Sequence, residues 1–330
     1  MKQRDNYFSF MKGLAIIGVL FIHSEFMSSN EFGIAARQVA TFAVALFFFV
    51  SGYFVKFDTV KLKLGGALRL FIPYAIWSLL WFAETTITGS QPVTLWKVVN
   101  TLFFGGAFFP LYFLIVLIEL KLLTPWIVRH IKALTNTSGQ YAWYKDWALL
   151  ITPIALLILY SIQYLTRQQP LVYAQVFPTW FLMYYAGCLA KNESIKISGP
   201  VALSAVLLSI YLMSLESTYI YEVLHVPFWA ASQIKFSSFF YALALSFLLL
   251  SLHCEMKRNV VVRLGEMSFG IFLLHIPVKM GVDIIMNRMF ADNPLRQLAV
   301  VIMTLCLCYV ALVVSYKILP DKINRYLGFK

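Results

Sequence analysis

Ten stretches of this chain, 14 to 23 residues long, are predominantly apolar. They fall at about 12–27, 35–55, 65–83, 107–128, 147–166, 177–190, 198–214, 229–250, 264–286 and 297–317, each bounded by polar clusters. A helix rises about 1.5 Å per residue, so roughly 20 apolar residues cross a hydrocarbon core of about 30 Å. The pattern predicts an all-α fold, a polytopic integral membrane bundle of about ten transmembrane helices. Of the 330 residues, 60% are hydrophobic and only 13% charged, about half the charge of a typical soluble domain. Spans and short connections then use up residues 1–330 as a single transmembrane domain, and a soluble enzyme is excluded.

Lysine and arginine outnumber aspartate and glutamate by 27 to 15. In a polytopic chain such an excess gathers on cytoplasmic loops, so it marks a membrane face and not a nucleic acid partner. With both termini cytoplasmic, 19 of the 27 basic residues fall on the inner side, against Arg37, Lys97, Arg167, Arg288 and Arg296 on the outer. One span more or fewer would move a set of downstream basic loops to the wrong face. Lys2, Arg4 and Lys12 precede the first run as they would in a signal peptide, but no small-residue cleavage site follows, and His23 and Glu25 lie within it. It reads as a retained first span. Cys188, Cys254, Cys306 and Cys308 have no metal-ligand spacing, and three sit in apolar runs as small hydrophobes, so neither a metal nor a disulfide is expected. Segment 92–105, with Trp96, Lys97, Phe103 and Phe104, reads either as an interfacial helix at the outer surface or as a plain loop. The polar stretch 131–146 reads as an ordinary mobile cytoplasmic connection.

An ionisable side chain at membrane depth costs on the order of 3 kcal/mol or more, so such groups turn inward and are functional suspects. They are His23 and Glu25 in the first span, Glu119 and Lys121 in the fourth, Lys235 in the eighth, and His275, Lys279 and Asp283 in the ninth. Lys12 and His23 are eleven residues apart, which places them on one helix face about 16 Å apart along the axis. His275 lies eleven residues beyond Leu264 in a span of the same direction, so its expected depth matches that of His23. Both imidazoles also have a plain reading as interhelical hydrogen-bonding groups, and Glu119 as a partner of Lys121 or of a neighbouring helix. Lys279 and Asp283, one turn apart, are expected to pair with each other. Ser51-Gly52 at the end of the second span allows close helix packing or a distorted helix end. Arg69, entering the membrane just before Ile72-Pro73-Tyr74, is placed either to snorkel or to bind a phosphate.

Taken together these residues resemble the acyltransferase-3 family of bacterial integral membrane acyltransferases. Lys12 through His23 is similar to the family's signature of Arg, ten residues, then His; Phe48-Phe49-Val50-Ser51-Gly52-Tyr53 is close to its aromatic-Ser-Gly-Tyr ending. Arg69-Leu70-Phe71-Ile72-Pro73-Tyr74 resembles the second Arg of an Arg-x-x-Arg pair with its Pro-Tyr. Leu264 through His275, containing Gly265, Ser268 and Phe269, is similar to the late Gly-x-x-Ser-aromatic stretch with a closing His. Two positions depart from the pattern. Lys12 stands in place of Arg, which keeps the charge but loses the planar fork, and Gly66 stands where the first Arg of the pair would be. Lys61 and Lys63 lie nearby as further sources of charge.

The resemblance implies an O-acyltransferase in the bacterial cytoplasmic membrane, with cytoplasmic acetyl-CoA as donor and no metal. The acceptor it implies is a hydroxyl of a cell-surface polysaccharide or lipid-linked sugar, a glycan or glycolipid. A hydroxyl attacking a thioester needs a proton acceptor working near neutral pH, which makes His23 the candidate general base or acyl relay. Glu119 and Ser51 are the candidate orienting groups. Lys12, Arg69 and Arg263 are the candidate cations for the donor's phosphates, and His275 and Ser268 candidates for supporting or acceptor-binding roles. The competing class is a proton-coupled secondary transporter, which also uses intramembrane His, Glu and Lys. No matched pair of broken spans in two halves points to it. The sugar, the acyl group and the oligomeric state are not legible in the sequence.

Overall fold

The computed structural model describes residues 5–24, 31–57, 64–87, 94–106, 109–135, 140–167, 175–192, 194–291 and 293–330. Glu25, Lys61 and Lys63 lie outside these. The described residues contain no strand and are 82% helical, and their one β-bridge joins Thr135 to Tyr141.

The helices in chain order are α1 (Asn6–His23), α2 (Glu31–Val39), α3 (Phe42–Tyr53), α4 (Leu64–Ile87), α5 (Leu95–Phe104), α6 (Tyr112–Leu134), α7 (Ile151–Thr166), α8 (Phe177–Lys191), α9 (Gly199–Thr218), α10 (Pro227–Ala230), α11 (Phe236–Ser251), α12 (Val260–Glu266), α13 (Ser268–Met289), α14 (Pro294–Ile318) and α15 (Asp321–Tyr326). A π-helical turn, Tyr219–Val223, follows α9.

Among the described residues seven segments are long and apolar enough to cross a membrane: Asn6–His23, Gly33–Tyr53, Gly65–Thr85, Trp147–Thr166, Gly199–Val223, Ser268–Met289 and Pro294–Ile318. The chain is therefore a multi-pass membrane protein. The other three expected spans also coincide with helices, but α8 has 15 residues and α11 has 16, rises of only about 22–24 Å. The third, α6, is 23 residues long and carries Glu119, Lys121 and Arg129. The second expected span is two helices: at Ala40 and Thr41 the backbone N–H groups bond three residues back, to the Arg37 and Gln38 carbonyls at 3.1 Å each, and α2 ends before α3 begins.

The chain forms two compact units, and the boundary falls within α3. The first holds residues 1–47, 197–324 and 329–330; the second holds 48–196 and 325–328.

In the first unit α1 packs along α12, α9 along α11, and α13 along α14. Asp5 caps α1, its carboxylate accepting from Tyr7 N–H at 2.9 Å. Glycines set the α1–α12 crossing. A Cβ on Gly265 would lie 1.6 Å from the Ser9 carbonyl oxygen, and one on Gly13 would lie 2.1 Å from that of Val261, so the two backbones touch directly. Asn6 Nδ2 donating to the Met256 carbonyl at 2.8 Å and Tyr7 Oη donating to that of Leu249 at 2.6 Å fasten the connection before α12 to the start of α1.

In the second unit α6 packs against α4 and α8, and α7 against α8. Here the Ser51-Gly52 motif packs closely: a Cβ on Gly52 would fall 2.0 Å from the Tyr184 carbonyl oxygen and one on Gly187 2.0 Å from that of Phe49. Segment 92–105 forms a helix, α5, over its described part. Thr94 Oγ1 caps it by accepting from Lys97 N–H at 3.2 Å, and Gly105 ends it in the left-handed region at φ 70°. Leu95, Trp96 and Phe103 are exposed, as an interfacial helix requires.

The expectation for 131–146 fails over its described part. Residues 140–146 are a built segment whose Asp146 is buried. Its carboxylate accepts from His130 Nε2 at 2.8 Å, Tyr185 Oη at 2.5 Å, Ala148 N–H at 2.9 Å and Tyr141 Oη. A polar composition read as a mobile connection here hides a buried carboxylate satisfied by four donors.

Candidate functional site

Two helices of the first unit bring the imidazoles together. His23 is the last residue of α1, and His275 sits two turns into α13 on the same face as Ser268, seven residues earlier. Their ring centroids are 5.1 Å apart at 49°. The depth match read from the sequence is thus a direct contact.

His275 is 1% exposed, and its Nδ1 lies 2.5 Å from the Phe272 carbonyl oxygen. A carbonyl only accepts, so Nδ1 carries the proton and Nε2 presents its lone pair. Among the described residues Nε2 is buried with no hydrogen-bond partner. Pro277, inside the same helix, has no amide proton to close on the Leu273 carbonyl one turn back, so the backbone is less tightly bonded next to this residue.

A cavity of about 10 Å³, the space of about one water, lies beside the rings, lined by Leu20, His23, Ser24, His275, Lys279, Val300, Val301 and Thr304. Thr304 Oγ1 is a second buried polar atom there with no partner among the described residues. Lys279 pairs with Asp283 at 2.5 Å, as the sequence predicts, yet it also borders the site. Its charge acts on His23, and so does that of Arg37 on α2. Sequence reasoning passed over both. Lys279 follows His275 by four residues, a same-face spacing that could have shown it. Arg37 reaches the site only through the fold of α2, for which the sequence has no signal.

The remaining candidates are placed as follows. Ser268 is buried at the start of α13, Lys12 is half-buried on α1, and Arg263 is exposed on α12. The Gly13–Val261 crossing brings the segments carrying Lys12 and Arg263 side by side. Ser51, Arg69 and Glu119 belong to the second unit. Ser51 is half-buried on α3, and Arg69 is exposed on α4, one turn after Gly66, where an added Cβ meets nothing within 4 Å. Glu119 on α6 has one carboxylate oxygen, Oε2, buried without a partner among the described residues, and the backbone N–H of Phe177 bonds to the group. Of the two structural partners expected for Glu119, Lys121 is not among the ion pairs formed by the described residues, whereas Phe177 belongs to a neighbouring helix, α8. No group of three or more His, Cys, Asp or Glu gathers among them in a way that would hold a metal ion.

The first unit thus places imidazoles from an early and a late helix in direct contact. Residues 5–313 match the acyltransferase-3 family model, described as an acyltransferase domain, and the chain belongs to that family. Neither the curated proteins nor the solved structures yield a match.

Proposed function

We propose that this membrane acyltransferase moves an acetyl group from cytoplasmic acetyl-CoA to a hydroxyl of a cell-surface polysaccharide or lipid-linked sugar in a bacterial cytoplasmic membrane. The observation that carries the reading is the His23–His275 contact, with the His275 tautomer fixed by the Phe272 carbonyl. In the reaction His23 accepts the hydroxyl proton as the oxygen attacks the thioester carbonyl. The new C–O bond forms, the C–S bond breaks, and the proton passes to the departing thiolate. Only a group bearing a lone pair can take that proton, and a positioned imidazole typically contributes about 10²–10⁴-fold. Thr304 Oγ1, a buried hydroxyl able to donate, orients the attacking oxygen, and His275 positions the His23 ring through their contact. Lys279 and Arg37 supply positive charge where the tetrahedral oxyanion develops. Lys12 and Arg263 at the α1–α12 crossing bind the phosphates of the donor. Arg69, Ser51 and Glu119, which belong to the second unit, are separate candidates for a cation and for orienting groups. Ten spans with both termini cytoplasmic remain the topology that the basic-residue bias supports.

The test follows radiolabelled acetyl groups from acetyl-CoA into the glycan and glycolipid fractions of membranes carrying the intact protein or His23→Ala. Label that appears only with the intact protein is the expected result. Full transfer by the variant removes His23 from the chemistry. Exchange of label between acetyl-CoA and free coenzyme A without acceptor would mark an acyl-histidine relay in place of direct transfer.

A further inference from the structure

The first unit holds a second cavity of about 480 Å³, within the range of about 300–1,000 Å³ typical of ligand sites. It opens between α2, the end of α9 with its π-helical turn, and α11. Its lining is mixed. Along α9 the wall changes from apolar, Ile210 and Met213, to polar, Ser214, Ser217, Thr218, Tyr221 and Glu222, while α2 contributes Ile34, Gln38 and Val39. The π turn completes the polar part: Leu224 N–H reaches back five residues to the Tyr219 carbonyl at 3.3 Å, and Tyr221 and Glu222 within the turn face the cavity. Such turns recur at functional sites.

Beneath the polar wall lies an amino group that the reaction does not use. Lys235 is completely buried, and its Nζ donates to the Ala230 carbonyl at 2.7 Å and to Ser217 Oγ. Gln38 is 6% exposed; its Nε2 donates to the same Ala230 carbonyl at 2.5 Å. Its Oε1 is buried with no partner among the described residues. A carboxamide, a carboxylate, hydroxyls and the tyrosines Tyr221 and Tyr241, lining one cavity together with aliphatic side chains, match an amphiphile with many hydroxyl groups. Helix α2 links this cavity to the imidazole pair, since Gln38 lines the one and the adjacent Arg37 acts on His23.

We infer that this cavity binds the acceptor as a lipid-linked saccharide, the sugar against Gln38, Ser217 and Glu222 and the lipid chain along Ile210 and Met213. The identity of the ligand rests on the acyltransferase reading above; the cavity and its mixed lining do not.

The test uses the full chain in nanodiscs of phosphatidylethanolamine and phosphatidylglycerol. Two photoprobes are compared, an alkyl glycoside with a diazirine in its alkyl chain and the same alkyl chain as a plain alcohol. The glycoside is expected to label residues 210–222 in preference to the alcohol and to be competed by unlabelled glycoside. Glu222→Gln and Ser214→Ala, at exposed positions, are each expected to cut that labelling by about tenfold or less, the range for one lost hydrogen bond. Gln38→Leu should abolish the preference. Equal labelling by both probes, or selective labelling that all three variants leave unchanged, overturns the inference. Acetyl transfer measured in the same nanodiscs separates the two readings. Selective labelling without transfer supports the cavity and sinks the acyltransferase chemistry, whereas transfer with an unchanged acceptor KM in the three variants does the reverse.

Discussion

Replacing Gly265 by alanine adds one methyl group at the α1–α12 crossing, where it would lie 1.6 Å from the Ser9 carbonyl oxygen and 2.7 Å from the Gly13 nitrogen. Both neighbours are backbone, so no side chain can turn aside. An ordinary carbon–oxygen contact is about 3.3 Å, so the helices must part by roughly 1.7 Å. Overpacking of this kind costs about 1–3 kcal/mol. The functional effect should be larger, because α1 carries His23 and displacement of a catalytic group by about 1 Å costs on the order of 10²-fold in rate. Gly265→Ala is therefore expected to lower acetyl transfer by about 10²-fold while the protein stays in the membrane with a moderately reduced Tm. Gly281→Ala is the control: it lies on α13, where an added Cβ meets nothing within 4 Å. That change should leave transfer intact and, by helix propensity, stabilise by up to about 1 kcal/mol. Radiolabelled transfer and thermal unfolding in detergent would be measured on both variants beside the wild type. Wild-type transfer and Tm in Gly265→Ala would refute the claim that direct backbone contact sets the position of α1.

His23→Ala is expected to abolish transfer, and His275→Ala, which removes the ring that positions His23, to reduce it by about 10²-fold with a small change in Tm; activity near wild type in His275→Ala would remove it from the site. Gly66→Arg restores a second cation one turn before Arg69 at an open position and should lower the KM for acetyl-CoA, whereas Arg69→Ala should raise it; steady-state kinetics in membranes decides both, and unchanged KM values would place the donor elsewhere. Asp146→Ala strands the donors of His130, Tyr141 and Tyr185 and should cost about 3 kcal/mol or more, read as a lowered Tm. Burial first, and then the hydrogen bond to Asp146, hold the Tyr141 phenol above its ordinary 10.0. The folded state grips that proton, so the contribution is whole below about pH 10 and lost as pH rises further. The Tm advantage of wild type over Tyr141→Phe should shrink above about pH 10; an advantage constant to about pH 12 contradicts it.

The elements most legible in the sequence are those written by long-range hydropathy and by spacing along one helix. The long apolar runs became helices, and Lys12 and His23 share α1. The equal depth of His23 and His275 followed from rise per residue alone. What stayed hidden depends on contacts between segments distant in sequence. Nothing local marks residues 40–41 as the place where the second span breaks, or shows that α2 brings the charge of Arg37 to bear on His23. Asp146 is the sharpest case. Its neighbours are polar and its surroundings read as a loop, but its donors come from α6, α8 and its own segment. No pattern within 131–146 could have shown a carboxylate buried by residues from three places. Gln38 and Lys235 are similar, since their shared acceptor, the Ala230 carbonyl, is a backbone atom and leaves no mark in the sequence.

The glycines of α3 and α8 take each other's backbone: Gly52 receives the Tyr184 carbonyl and Gly187 that of Phe49. The two contacts act like a pair of meshed teeth. Turning either helix about its axis, or sliding it by a residue, drives a side chain into a carbonyl at one place or the other. Residues 49–53 and 184–188 must then travel as one piece in any opening of the second unit to a substrate. Ser51 rides on that piece as a fixed point, so whatever bends must bend elsewhere.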